Sequence, residues 1–253
     1  MSDDPYEIPE TPSVALDSVK RRRVPFLALL IVLGIIAVVG GLVIPNMQRA
    51  RYAAHRTQCK NNLKQIAMAL ESYADYYGSL PPSYTVDANG KPLHSWRTLI
   101  LPYLDQRALY DKIDLGKAWD DPANFEAFTT IPSSYRCPSA TQPPNYTGYL
   151  GIVGENACFL PTEPRALTDI TDSKSETLMV FEVAQEQAVH WMAPLDTSEM
   201  MVLRFKSDGK EGHNGGTQVA LADGDVRFIS DNLSLETLRA MISIAGNDQA
   251  RDF

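Results

Sequence analysis

At 253 residues the chain is long enough for one large domain or two small ones, and for a sizeable core. Its formal net charge of −8 lies almost wholly beyond residue 45, and a surface of that sign repels phosphate backbones, which argues against nucleic acid as a partner. Cys59, Cys137 and Cys158 show no C-x-x-C spacing, so zinc-ribbon and thioredoxin-like redox sites are disfavoured as well.

In chain order, residues 1–23 read as a disordered cytoplasmic tail. Asp3, Asp4, Glu7 and Glu10 alternate with Pro5, Pro9 and Pro12 and bury little. Residues 24–45 read as a transmembrane helix: 24–44 is 21 residues without a charge or a strongly polar side chain, which at ~1.5 Å per residue spans a ~30 Å hydrocarbon core. A signal peptide has a shorter apolar region and a small-residue cleavage site, and 45–51 offers none, so the span reads as an uncleaved anchor. Lys20, Arg21, Arg22 and Arg23 favour a cytoplasmic N-terminus. Arg49, Arg51, Arg56, Lys60 and Lys64 on the far flank leave orientation open on charge alone. Gly34, Ala37, Gly40 and Gly41 put small side chains where a second helix could approach.

Beyond Pro45, Ala50, Ala53, Ala54, Leu63, Ile66, Ala67, Leu70, Tyr73, Ala74 and Tyr77 recur at three- and four-residue intervals. This predicts an amphipathic helix over 46–77, ended by Gly78, Pro81 and Pro82 and at most kinked by Pro45. A short helix is expected over 97–113, then strands over 177–183 and 189–193. Gly148, Gly151 and Gly154 do not fit a dinucleotide loop and read as a loop and strand edge. Residues 217–222 and 225–229 predict a hairpin turning at Asp223-Gly224, where both turn residues would take positive φ. A helix over 235–245 follows, with Ser234 as N-cap and Gly246 as stop. The fold class is α+β: a long N-terminal transmembrane helix continuing into a domain, 46–253, with an antiparallel β-sheet.

A half-protruding N-terminal helix is the plan of type IV pilins and pseudopilins, and particular residues narrow the likeness. Arg56-Thr57-Gln58-Cys59-Lys60-Asn61-Asn62-Leu63-Lys64-Gln65-Ile66 followed by Tyr77-Gly78-Ser79-Leu80-Pro81-Pro82 resembles the opening of the pilin-like family called domain of unknown function 1559, abundant in planctomycete-type bacteria. Trp96 with Leu101-Pro102-Tyr103-Leu104-Asp105-Gln106 resembles its middle segment, and Tyr135-Arg136-Cys137-Pro138-Ser139 its cysteine motif. Ile170-Thr171-Asp172 through Thr177-Leu178-Met179-Val180-Phe181-Glu182 is similar to a later strand, and His213 with Asp223-Gly224 to the C-terminal H-x9-D-G motif. The resemblance implies a pilin-like ectodomain and a Cys59–Cys137 disulfide, whose loop of about 78 residues is worth roughly 4 kcal/mol in the chain-entropy model. Family members usually open with Gly-Phe-Thr and a glutamate two residues later. Here Arg23-Val24-Pro25-Phe26 has neither, so the resemblance implies a pilin-derived scaffold without establishing a pilus.

No constellation compels an enzyme. His55 falls on the juxtamembrane helix, and His94 and His190 stand beside Trp96 and Trp191 as packing or surface rings. His213 lies in a glycine-rich stretch near Asp208 and Asp223, where it either carries a proton or binds a metal, or hydrogen-bonds a loop while Asp223 makes the turn. The loop reading is favoured because no nucleophile or second ligand is tied to it. Asp223 and Asp225 lack the further oxygens of a calcium loop. The expectation is therefore a non-enzymatic scaffold or interaction protein of the bacterial inner membrane, single-pass, with its C-terminal domain extracytoplasmic and no cofactor, catalytic residue or metal site. Its partners would be lipid and other pilin-like or secretion-system proteins. The alternative is an extracytoplasmic module for carbohydrate or peptide, with Tyr84, Tyr103, Tyr146 and Tyr149 lining a groove.

Overall fold

A computed structural model describes residues 26–138, 143–205 and 215–247, apart from the side chains at 40, 43, 45, 48, 49 and 52. The chain divides into two compact units, one up to Met47 and one from Gln48. The expected tail, 1–23, lies outside the described residues, as does His213.

Helix α1, Phe26–Tyr77, runs through Pro45 without an assigned break. Gly78 takes φ 79° and donates its N–H to the Ala74 carbonyl, closing the helix where a residue with a side chain would be strained. Among the described residues no helix is long and apolar enough to cross a membrane. The uninterrupted run of described apolar side chains, 26–39, rises only about 21 Å at ~1.5 Å per residue. The span expected over 24–45 extends past it into residues and side chains outside the description.

In the unit from Gln48, Cys59, Leu63, Ile66, Ala67, Leu70 and Ala74 form one buried stripe of α1 at helical spacing. They cover a five-stranded sheet made of β1 (Tyr149–Val153), β2 (Leu178–Glu182), β3 (Thr197–Ser198), β4 (Gly216–Leu221) and β5 (Val226–Ser230), in the order β5-β4-β2-β1-β3. All pairs are antiparallel except β1 with β3, with Val219 opposite both Arg227 and Phe181, and Leu150 opposite Phe181. Tyr149, Val180 and Ala220 face the α1 side. Leu150, Ile152, Phe181, Val219 and Leu221 pack with Val202 of α3 (Glu199–Leu203) and Leu238, Met241 and Ile242 of α4 (Leu235–Ile242). With both faces covered, β2 and β4 are buried throughout and read as continuous apolar runs instead of alternating ones.

The α+β class with antiparallel strands holds, and several local expectations change. Residues 97–113 are not one helix: α2 (Trp96–Leu99) gives way to a 3-10 turn at Leu101–Tyr103 and a further turn of helix at Arg107–Tyr110, because Pro102 removes a donor and Asp105 adopts φ 56°. Residues 149–153 form an inner strand of the sheet, not an edge; a Cβ on Gly151 would touch the Phe159 ring and the Trp96 indole nitrogen. The expected strand over 189–193 shortens to Val189–His190. Helix α4 starts at Ser234, whose hydroxyl accepts the Thr237 N–H, but stops at Ile242 as Ser243 turns extended, ahead of Gly246.

Candidate functional site

The Asp223-Gly224 turn is built differently from the expected two-residue hairpin. Gly224 N–H donates to the Leu221 carbonyl and Leu221 N–H to the Asp225 carbonyl, and only Gly224 takes positive φ, at 76°. That is a type I turn followed by one left-handed residue, the three-residue loop, so Asp223 is spared positive φ. The Asp223 carboxylate instead accepts the Asp225 N–H at 2.9 Å and so holds the turn.

The same turn meets α1. Lys64 Nζ donates to the Gly224 carbonyl at 2.6 Å, and a Cβ on Gly224 would collide with the Glu71 carboxylate. Burial raises the Glu71 carboxyl above its usual range; Lys64 pulls it down, and Asp223 and Asp75 push it up. Among described atoms the motif thus ties the hairpin tip to the helix.

Cys59 and Cys137, placed by α1 and by the stretch after the 3-10 turn Ser133–Tyr135, are joined in a disulfide with Cα atoms 5.1 Å apart. Both are buried, and the Asn62 side chain donates at 2.8 Å to the carbonyl of Arg136, the residue before Cys137. Glu182, at the end of β2, has a carboxylate oxygen within 4.8 Å of both sulfurs. Burial alone pushes its carboxyl up to about 8, so it is largely protonated near neutrality. Its charge in turn helps raise the buried Tyr149 phenol, after burial itself, and that phenol donates to the Cys59 carbonyl at 3.4 Å. Cys59, Cys137 and Glu182 are the one group among the described residues with metal-ligand proximity, but the two thiols are consumed by the disulfide. Cys158 is buried and reduced, its thiol pushed up to about 12 by burial, so it is a poor nucleophile.

A second buried polar centre escaped the sequence reading. The Arg97 guanidinium, fully buried on α2, donates from Nε to the Trp191 carbonyl, from one terminal nitrogen to the Tyr149 carbonyl and Asp196, and from the other to the Ala193 and Leu195 carbonyls. All five donors are thereby used. Asp196 lies 2.7 Å from Arg97 and also accepts from the Trp96 indole, the Gly151 N–H and the Ser83 hydroxyl. A saturated pair like this fixes loops on the sheet and leaves no group to act on a substrate. In the sequence, Arg97 and Asp196 are 99 residues apart with nothing to link them.

His94 and His190 serve packing. His190 stacks on Phe128 at 4.2 Å; its Nε2 faces the Phe128 carbonyl at 2.9 Å, its Nδ1 accepts the Met192 N–H, and burial lowers it, so it is neutral. His94 is buried with Nε2 2.8 Å from the Lys117 carbonyl, and burial likewise lowers it. His55 stays part-exposed on α1. The four tyrosines expected to share a groove are dispersed: Tyr149 is buried, Tyr146 lies edge-on to His190, Tyr84 is on the short strand Tyr84–Val86, and Tyr103 packs on Tyr73. A shallow groove exists elsewhere, lined by Asp120, Asp121, Pro122, Phe125 and Phe128.

Residues 48–154 match a family model described as Protein of unknown function (DUF1559). The matched stretch includes the segments at 56–66, 77–82, 96–106 and 135–139; those at 170–182 and 213–224 lie beyond it. No curated protein and no solved structure matches the chain.

Proposed function

Because residues 48–154 match the model of the family described as protein of unknown function DUF1559, we propose that the chain is a non-enzymatic, pilin-like scaffold or interaction protein of the bacterial cell envelope. Its N-terminal helix anchors it in the inner membrane, and the disulfide-bonded unit from Gln48 stands outside the cytoplasm.

The observation that carries this reading is the change of character along α1. From Phe26 to Val39 the large side chains are all apolar and expose between 49% (Leu30) and 74% (Phe26) of their surface. From Cys59 to Ala74 the apolar stripe is buried on the sheet. At ~25 cal/mol per Å², an exposed apolar run of that kind is unfavourable in water and favourable in hydrocarbon. The buried disulfide supports an oxidising compartment for the other unit, and the saturated Arg97–Asp196 centre supports a rigid scaffold in place of a reactive cleft.

Protease protection on intact spheroplasts, with tags at both termini, tests the reading. The expected outcome is loss of the C-terminal tag while the N-terminal tag survives on a membrane-embedded fragment. A protected C-terminal tag puts the folded unit in the cytoplasm and overturns the proposal.

A further inference from the structure

Five of the eleven tyrosines gather at the C-terminal end of α1 and the turns that follow Pro102. Tyr76 and Tyr77 are 75% and 58% exposed, and Tyr73, Tyr103 and Tyr110 are half-buried beneath them. Ring centroids lie 4.4 Å apart for Tyr73 and Tyr77, 4.8 Å for Tyr76 and Tyr77, and 6.0 Å for Tyr73 and Tyr103. Tyr110 adjoins them, with the Arg107 guanidinium 5.8 Å from its ring and Arg107 paired to Asp111 at 2.8 Å. The pairs are tilted (36° for Tyr73 and Tyr77) or edge-on (80° for Tyr76 and Tyr77, 73° for Tyr73 and Tyr103). Tyr73, Tyr103 and Tyr110 pack against the core, whereas core packing does not account for the exposed Tyr76 and Tyr77.

We infer that this tyrosine cluster is a stacking platform for a neutral polysaccharide of the β-linked pyranose kind, whose equatorial hydroxyls leave flat C–H faces. A phenol offers a sugar an apolar face and a hydroxyl at the same place. Burial pushes the Tyr73 hydroxyl up to about 12 and raises those of Tyr103 and Tyr110, so these three remain hydrogen-bond donors throughout the physiological range. Charge selects the class of partner. Asp75 and Asp105 flank the rings in sequence, Asp111 is offset by Arg107, and the chain as a whole carries −8, so an anionic polymer or a second copy of the chain meets like charge. A cation finds its place at the Tyr110 ring already taken by Arg107. The inference is independent of the membrane reading and replaces the dispersed groove of Tyr84, Tyr103, Tyr146 and Tyr149 with one contiguous surface.

Affinity electrophoresis of the full chain in detergent, in native gels cast with hydroxyethylcellulose, glycol chitin or carboxymethylcellulose, tests it. The neutral polymers are expected to retard the parent chain, and the double variant Tyr76→Ala/Tyr77→Ala to need about tenfold more polymer for the same retardation. Both positions are exposed, so mobility in polymer-free gels should be unchanged, and Tyr84→Ala should behave as the parent. No retardation by either neutral polymer, equal retardation of parent and double variant, or retardation by carboxymethylcellulose alone overturns the inference. So does concentration-dependent self-association that the same double variant abolishes, since that assigns the rings to a second copy.

Discussion

Glu182 shows what one buried side chain does to the pH dependence of the whole. Its folded carboxyl titrates at about 8 against an ordinary 4.5, so between those values the folded chain holds a proton that the unfolded chain has released. Stability therefore falls as pH rises from about 4.5 and levels off above about 8. Glu182→Gln removes the ionisation: melting temperatures followed by circular dichroism should match the parent near pH 5 and exceed it near pH 8, by the equivalent of a few kcal/mol. A parent whose stability is flat over that range contradicts the assignment. Gly224 makes a different residue-scale prediction. Gly224→Ala forces a side chain into φ 76° and toward Glu71, and should destabilise by about 1–2 kcal/mol in urea unfolding. Adding Glu71→Ala should recover little, because the carboxylate can swing away whereas the backbone angle cannot relax.

Two of the long-range ties among the described residues can be cut separately. Cys59→Ser/Cys137→Ser opens a loop of sequence separation 78 between α1 and the stretch after Tyr135, and denaturant unfolding should report a loss of about 4 kcal/mol. The Arg97–Asp196 pair joins α2, β1 and the 191–196 loop. Arg97→Met leaves the Asp196 carboxylate buried and unpaired, and should destabilise by about 3–5 kcal/mol. Lys112→Ala, which breaks the exposed pair to Glu126, should change stability by less than about 1 kcal/mol in the same assay. These elements also mark where the sequence was readable. The α1 stripe and the glycine stop at 78 follow from periodicity and φ preference alone. The breakdown of 97–113 into three turns depends on Asp105 accepting a left-handed angle, which no propensity announces. Gly151 could not be recognised as part of an inner strand before the Phe159 and Trp96 rings were seen against it.

At the scale of the whole molecule, the two units make separable predictions. Deleting residues 1–47 should move the chain from the membrane pellet to the supernatant in carbonate-washed fractions. Pelleting of the truncated chain would contradict the role given to the start of α1.

What the sequence determined by itself is whatever depends on near neighbours in the chain. The apolar start of α1, its amphipathic continuation, the hairpin at Asp223-Gly224 and the α+β class are carried by patterns of a few residues. The cysteine pairing came through resemblance, since chain spacing does not select partners. The tertiary structure alone decided that β2 is sandwiched and carries a buried acid beside the disulfide, that Arg97 finds Asp196 across 99 residues, and that tyrosines from 73 to 110 form one surface. A charged residue inside the apolar run Leu178-Met179-Val180-Phe181-Glu182-Val183 was the one local hint of the buried acid. Burial and long-range contact are properties of the packed chain, set by which faces meet, and a sequence read residue by residue carries the faces but not their meeting.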